Sequence, residues 1–255
     1  MTTPNPGSLA ERLSQLDAYE LRKLLMGQPR VAAVWMRALA SEGIVEAQLN
    51  YGRMLLEGTG VEKDQGAALM WFRCAAECGE PDAINMVGRC LDNGWGTQQD
   101  AAAAVHQYRR AADAGHAWAQ YNLGHLYLEG RGVGRDLHAA FAWYRRAADQ
   151  GHPRAMNLVG RCFEQGWGVP RDDAMASAWY RRSAEGGYFR GQYNWASVLL
   201  RDGRVDEAAS WLGRAAEGGT RGVRQAVLDL ACANPAPALR ALGERLRDKV
   251  QAMAA

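Results

Sequence analysis

An all-α solenoid of short helical hairpins is the fold this sequence predicts, and three observations predict it. First, a step of 36 residues lands on Ala47, Ala83, Ala119 and Ala155, and the same step joins Gly52, Gly88, Gly124 and Gly160. It also joins Gly58, Gly94, Gly130 and Gly166; Gly60, Gly96, Gly132 and Gly168; and Asp64, Asp100, Asp136 and Asp172. Second, each period holds two apolar runs at helical spacing, such as Tyr121, Leu123, Leu126 and Tyr127, then Leu137, Ala140, Phe141, Tyr144, Ala147 and Ala148. Third, glycines end both runs, at Gly130 and Gly151. A fixed period of this length marks units that bury their apolar faces only against their neighbours.

The elements follow in order. Residues 1–46 read as N-terminal capping helices. Ser8 is placed to cap a helix to about Met26, with Leu9, Leu13, Leu16, Leu24 and Leu25 on its apolar face. A worn repeat follows, since Trp35 and Gly43 lie one period before Trp71 and Gly79. Repeats are expected at 47–82, 83–118, 119–154, 155–190 and 191–221. In the first four, an aspartate such as Asp136 can accept a hydrogen bond from the free amides of a new first turn. Gly124 and the Ala147-Ala148 pair lack bulk, which places the close crossing of the two helices there, with Trp143 and Tyr144 filling the space between layers. The fifth repeat lacks the G-x-G-V loop between Gly203 and Arg204, so a tighter turn is expected. Residues 222–255 read as C-terminal capping helices, interrupted at Asn234-Pro235-Ala236-Pro237.

Ala119, Leu123, Gly124, Tyr127, Gly130, Gly132, Val133, Asp136, Ala140, Trp143, Tyr144, Ala147, Ala148 and Gly151 resemble a Sel1-like repeat, a branch of the tetratricopeptide superfamily. The resemblance is strong over Ala47–Gly187 and fades at both ends. It implies a right-handed superhelix whose first helices line a concave face, and a role as an adaptor or scaffold rather than a catalyst. Secreted members of the family are often stapled by one cysteine pair per hairpin. The five cysteines here, Cys74, Cys78, Cys90, Cys162 and Cys232, do not follow that pattern, so a reducing cytoplasm is the expected compartment.

Composition bounds the function classes. Lys and Arg number 30 against 28 Asp and Glu, for a net charge of +2, which gives no electrostatic case for nucleic acid or an anionic membrane. Met1–Ser8 lacks the basic start and long apolar core of a secretion signal, and no run of about 18 apolar residues is present to span a bilayer. No G-x-x-x-x-G-K-S/T, H-E-x-x-H or G-x-S-x-G motif occurs, and the five histidines form no catalytic arrangement, so no enzyme and no cofactor are expected. Cys74, Cys78 and Cys90 lack the four-ligand set of a zinc site and read better as small buried residues.

A second period points to a candidate site. The first, third and fifth repeats begin AQLNYGRMLLEG, AQYNLGHLYLEG and GQYNWASVLLRDG, whereas the second and fourth begin AINMVGRCLDNGWG and AMNLVGRCFEQGWG, a super-repeat of 72 residues. It reflects either duplication of an ancestral pair or a functional face. If the Leu123-Gly124-Tyr127 stripe packs inward, the positions equivalent to Tyr121, His125, Leu128 and Glu129 face the groove. The predicted partner-binding set is Arg53, Asn85, Arg89, Tyr121, His125, Asn157, Arg161 and Tyr193. Asn and Arg four apart offer amide and guanidinium donors to a peptide backbone or carboxylate. Peptide-binding tetratricopeptide proteins use similar Asn/Arg/Lys sets as a carboxylate clamp. The expected function is therefore a monomeric adaptor holding an extended acidic or C-terminal peptide, or the tail of a protein partner. The alternative is a dedicated inhibitor, such as an immunity protein that plugs a toxin, using the same groove. The loop residues Trp95 and Trp167 either pack back over the hairpin end or stand out as anchors. Arg109-Arg110, Arg145-Arg146 and Arg181-Arg182 form either a basic stripe or a solvated face beside Asp113, Asp149 and Glu185.

Overall fold

The computed structural model describes residues 27–252, so the expected helix from Ser8 to Met26 lies outside the described residues. Every regular element among the described residues is an α-helix. They are α1 (Pro29–Ser41), α2 (Val45–Glu57), α3 (Gln65–Glu77), α4 (Pro81–Asn93), α5 (Ala101–Asp113), α6 (Ala117–Glu129), α7 (Leu137–Asp149), α8 (Pro153–Gln165), α9 (Asp173–Glu185), α10 (Phe189–Arg201), α11 (Val205–Gly218), α12 (Arg221–Ala233) and α13 (Pro237–Ala252). They divide into two compact units. Unit 1 runs to Ala119 and includes Arg131–Gly134; unit 2 holds Gln120–Gly130 and everything from Arg135. In each unit helices adjacent in sequence are adjacent in space, which is the α-solenoid arrangement.

The periodic residues explain the periodic geometry. Asp64, Asp100, Asp136 and Asp172 each cap a second helix, their Oδ1 atoms accepting the amides of Ala67, Ala103, Ala139 and Met175 at 2.9 Å. Within each unit a small first-helix residue seats a ring. A Cβ on Gly88 would stand 2.7 Å from Tyr108, one on Gly124 2.6 Å from Tyr144, and one on Gly160 2.7 Å from Tyr180. The second loop glycine has a different task. Gly96, Gly132 and Gly168 have positive φ, and each lies so close to the backbone at the start of the preceding second helix that a Cβ would overlap Gln65, Ala101 and Leu137 respectively. One glycine in each of these three repeats thus docks the loop of one hairpin on the hairpin before it.

The connection between α10 and α11 has three residues where those of α2–α3, α4–α5, α6–α7 and α8–α9 have seven, as expected from the missing loop. In unit 2, Leu239, Leu242 and Leu246 of α13 join Leu212 of α11 and Val227 of α12 in one apolar cluster. The charged terminal helix therefore buries a leucine stripe.

Candidate functional site

In unit 2 the first helices carry a recess of about 340 Å³. Tyr121 and His125 reach it from α6, Arg154, Asn157, Leu158 and Arg161 from α8, Tyr188, Arg190, Tyr193 and Asn194 from α10 and its N-cap, and Gly222, Val223 and Ala226 from α12. Three guanidinium groups, three tyrosines and two side-chain amides thus surround one space that no carboxylate among the described residues lines.

Local packing sets each group. His125 stands edge-on to Tyr121, with ring centroids 4.6 Å apart, and to Tyr144 at 5.4 Å. Tyr121 also stacks on His152 at 5.1 Å, so its ring is held from two sides. Burial raises the Tyr121 hydroxyl above its ordinary value and Tyr188 adds to this, while Arg154 and Arg190 oppose it. The Arg154 guanidinium lies 5.6 Å from the Tyr188 ring centre. Arg161 lies over Trp167 at 4.9 Å, a cation–π contact that fixes its direction. Asn157 is only 4% exposed, and its Oδ1 accepts a 2.8 Å hydrogen bond from Asn194 Nδ2 on the next first helix.

Unit 1 carries a separate recess of about 420 Å³, lined by Arg53, Leu56, Glu57, Lys63, Gln65, Met86, Arg89 and Trp95. Here Arg89 lies over Trp95 at 5.1 Å, with Nη1 3.4 Å from Met86 Sδ. Arg53 pairs with Asp82 at 3.4 Å.

The eight predicted side chains are therefore distributed. Tyr121, His125, Asn157, Arg161 and Tyr193 share the unit 2 recess, and Arg53 and Arg89 share that of unit 1. Asn85, 5% exposed, lines neither. Both asparagines are nearly covered, although Asn157 still reaches the recess beside Arg161, and the two arginines stack on loop tryptophans. Trp95 and Trp167 pack back over their own hairpins, which answers the question left by the sequence.

Two acids on the same first helices have internal duties. Glu164 accepts the Tyr180 hydroxyl at 2.9 Å, and Asp92 takes Arg131 Nη1 at 2.7 Å within reach of Tyr108 at 3.5 Å. Missed from the sequence were Arg154, Tyr188, Arg190 and Asn194. A signal existed for two of them: the column Glu46, Asp82, Trp118, Arg154, Arg190, read at the 36-residue step, turns from acidic to basic along the chain.

Of the recurring arginine pairs, Arg145 and Arg181 form ion pairs with Asp149 and Glu185 on exposed helix faces. Cys90 and Cys162 are buried, which pushes their thiols up to about 11 and about 12. No group of three His, Cys, Asp or Glu side chains among the described residues is gathered to hold a metal ion. No helix among them is long and apolar enough to cross a membrane.

Comparison with known proteins agrees with this geometry. The Sel1 repeat family model matches at residues 45–80, 81–116, 119–152, 153–188 and 190–220. A Sel1 repeat protein from Oxalobacter formigenes is 30% identical, with a TM-score of 0.68 over 73% of this chain and 76% of that one. A protective antigen of uropathogenic Escherichia coli displaying an SLR fold is 27% identical, with a TM-score of 0.67 over 89% of this chain and 50% of that one. This chain thus spans half the length of that antigen. An immunity protein from Pseudomonas aeruginosa, 18% identical with a TM-score of 0.56 over 82% of this chain and 80% of that one, shares the fold. No curated protein sequence matches. Five tandem matches and a hairpin geometry built on the repeat's own glycines and aspartates place this chain in the Sel1 repeat family.

Proposed function

We propose that this chain is a protein-interaction adaptor that holds an acidic segment of a partner, or its C-terminal carboxylate, on the first-helix face. The observation that carries the reading is the unit 2 recess, where Arg154, Arg161 and Arg190 converge with His125, Tyr121 and Tyr193 and the lining holds no carboxylate of the described residues. Guanidinium groups read planar oxyanions bidentately, and tyrosines supply contact area at low entropic cost. Asn157, fixed by Asn194, adds a preorganised amide to the wall. Arg53, Asn85 and Arg89 belong to the first helices of unit 1, with Asn85 acting through the packing beneath them. The chain works as a scaffold, without cofactor or catalysis, and as a monomer in the cytoplasm.

The test uses acetyl-(Gly-Glu)4 with a free carboxyl terminus, titrated calorimetrically. Arg161→Ala removes a charge-assisted contact worth about 2 kcal/mol and weakens binding at least tenfold, which corresponds to about 1.4 kcal/mol. Arg89→Ala serves as the unit 1 comparison. Affinity unchanged by both substitutions would remove arginine recognition from the account.

A further inference from the structure

We infer that the unit 1 recess is a second docking site of different chemistry, for a partner segment that carries one bulky apolar side chain beside a carboxylate. The inference rests on the scaffold reading and adds a ligand class to it. The floor is apolar: Leu56 comes from the last turn of α2, Met86 from the middle of α4 and Trp95 from the loop after α4. The rim is cationic, with Arg53, Lys63 and Arg89 against Glu57 alone, and Arg53 is already partly engaged by Asp82.

Each feature has a separate consequence. A recess of about 420 Å³ has room for one aromatic or branched side chain. Methionine and tryptophan provide a polarisable, adaptable floor and a flat anchor. Arg89, lying over Trp95 and against Met86, covers one side of the indole and leaves its guanidinium at the edge, where an incoming carboxylate meets it. The rim stays net cationic even with Arg53 partly engaged by Asp82, which selects against basic segments and draws acidic ones in.

The unit 2 counterpart is different. One super-repeat of 72 residues on, His125 stands for Arg53, Arg135 for Lys63 and Leu158 for Met86, and Arg161 turns to a recess walled by tyrosines. The two units thus keep the Arg–Trp stack and change what it faces. The unit 1 site offers Leu56, Met86 and Trp95 to an apolar side chain, whereas the unit 2 site adds three tyrosines and two asparagines to the aliphatic Leu158, Val223 and Ala226.

The experiment follows the Trp95 indole N–H and the Met86 methyl by NMR in the full chain, so no substitution disturbs the fold. Three doubly capped probes are titrated: acetyl-Glu-Glu-Leu-Phe-Glu-Glu-amide, the same peptide with Gly-Gly for Leu-Phe, and the same peptide with lysines for glutamates. The first moves both resonances saturably, and the other two bind at least tenfold more weakly. Silence at Trp95 with the first probe overturns the inference, as does equal binding of the glycine or lysine probe. A shift of Trp95 on concentrating the protein alone also overturns it, since a second copy would then be the occupant. The free-carboxylate peptide read at Tyr121 and Tyr193 is the parallel arm. A response there with none at Trp95 sinks only this inference, and silence at both recesses sinks the scaffold reading as well.

Discussion

At the scale of single residues, the difference between odd and even repeats resolves into matched pairs. Tyr180 in the fourth repeat gives its hydroxyl to Glu164, and Tyr108 in the second stands by Asp92. In the first repeat the corresponding residues are Phe72 and Leu56, so no hydroxyl needs an acceptor. The third repeat mixes the two. Tyr144 faces a repeat with Leu128 in the acid's column, and its buried hydroxyl has no hydrogen-bond partner among the described residues. A buried polar group left unpaired costs about 1–3 kcal/mol. Tyr144→Phe should therefore leave stability unchanged or raise it by about 1 kcal/mol, whereas Tyr180→Phe should lower it by about 1 kcal/mol, both read by urea unfolding. The thiols give a second prediction at this scale. Burial raises Cys90 from 9.0 to about 11 and Cys162 from 9.0 to about 12, so both hold protons in the fold that the unfolded chain has released. Their contribution to stability is complete below about pH 9 and is lost as pH rises through about 11 to 12. At pH 8, iodoacetamide should label the exposed Cys78 and Cys232 and spare Cys90 and Cys162 until denaturant is added.

At the scale of elements, the loop glycines decide how one hairpin meets the next. Gly132 has a φ of +67° and seats against Ala101 and Ala102, whereas a Cβ on Gly134, two residues on, would meet nothing within 4 Å. Gly132→Ala should lower the thermal midpoint by several degrees, equivalent to about 2 kcal/mol or more, and Gly134→Ala should have little effect. Equal effects would remove loop docking as the reason for the glycine. The helices themselves were legible in the sequence because caps, period and apolar spacing all agree. The face of each first helix was only partly legible. A solenoid helix is covered by its own hairpin partner and also by the hairpin before and the hairpin after, so the side chain next to the core stripe can be buried by a neighbour 36 residues away. That is why Asn85, expected on the open wall, lines neither recess, and why Asn157, which does reach its recess, is almost covered and bonded to Asn194. The tryptophan loops posed the same difficulty: spacing places Trp167 in the connection, and only the fold brings it under Arg161.

At the scale of the whole molecule, the near-zero net charge conceals a local asymmetry. The column that reads Glu46 and Asp82 in unit 1 becomes Arg154 and Arg190 in unit 2. In unit 1 Asp82 finds partners within the unit, Arg53 and His116. In unit 2 the basic side chains gather around the recess instead. Composition averages this away, and a register read column by column recovers it. Binding at the recess should therefore weaken steeply with added salt even though the chain as a whole is almost neutral.

The most direct test of the central claim is an NMR map of the full chain on addition of acetyl-(Gly-Glu)4 with a free carboxyl terminus. Shifts should centre on Tyr121, His125, Tyr188 and Tyr193. Shifts confined to second-helix residues such as Arg145 and Arg181, or none at all, would contradict it.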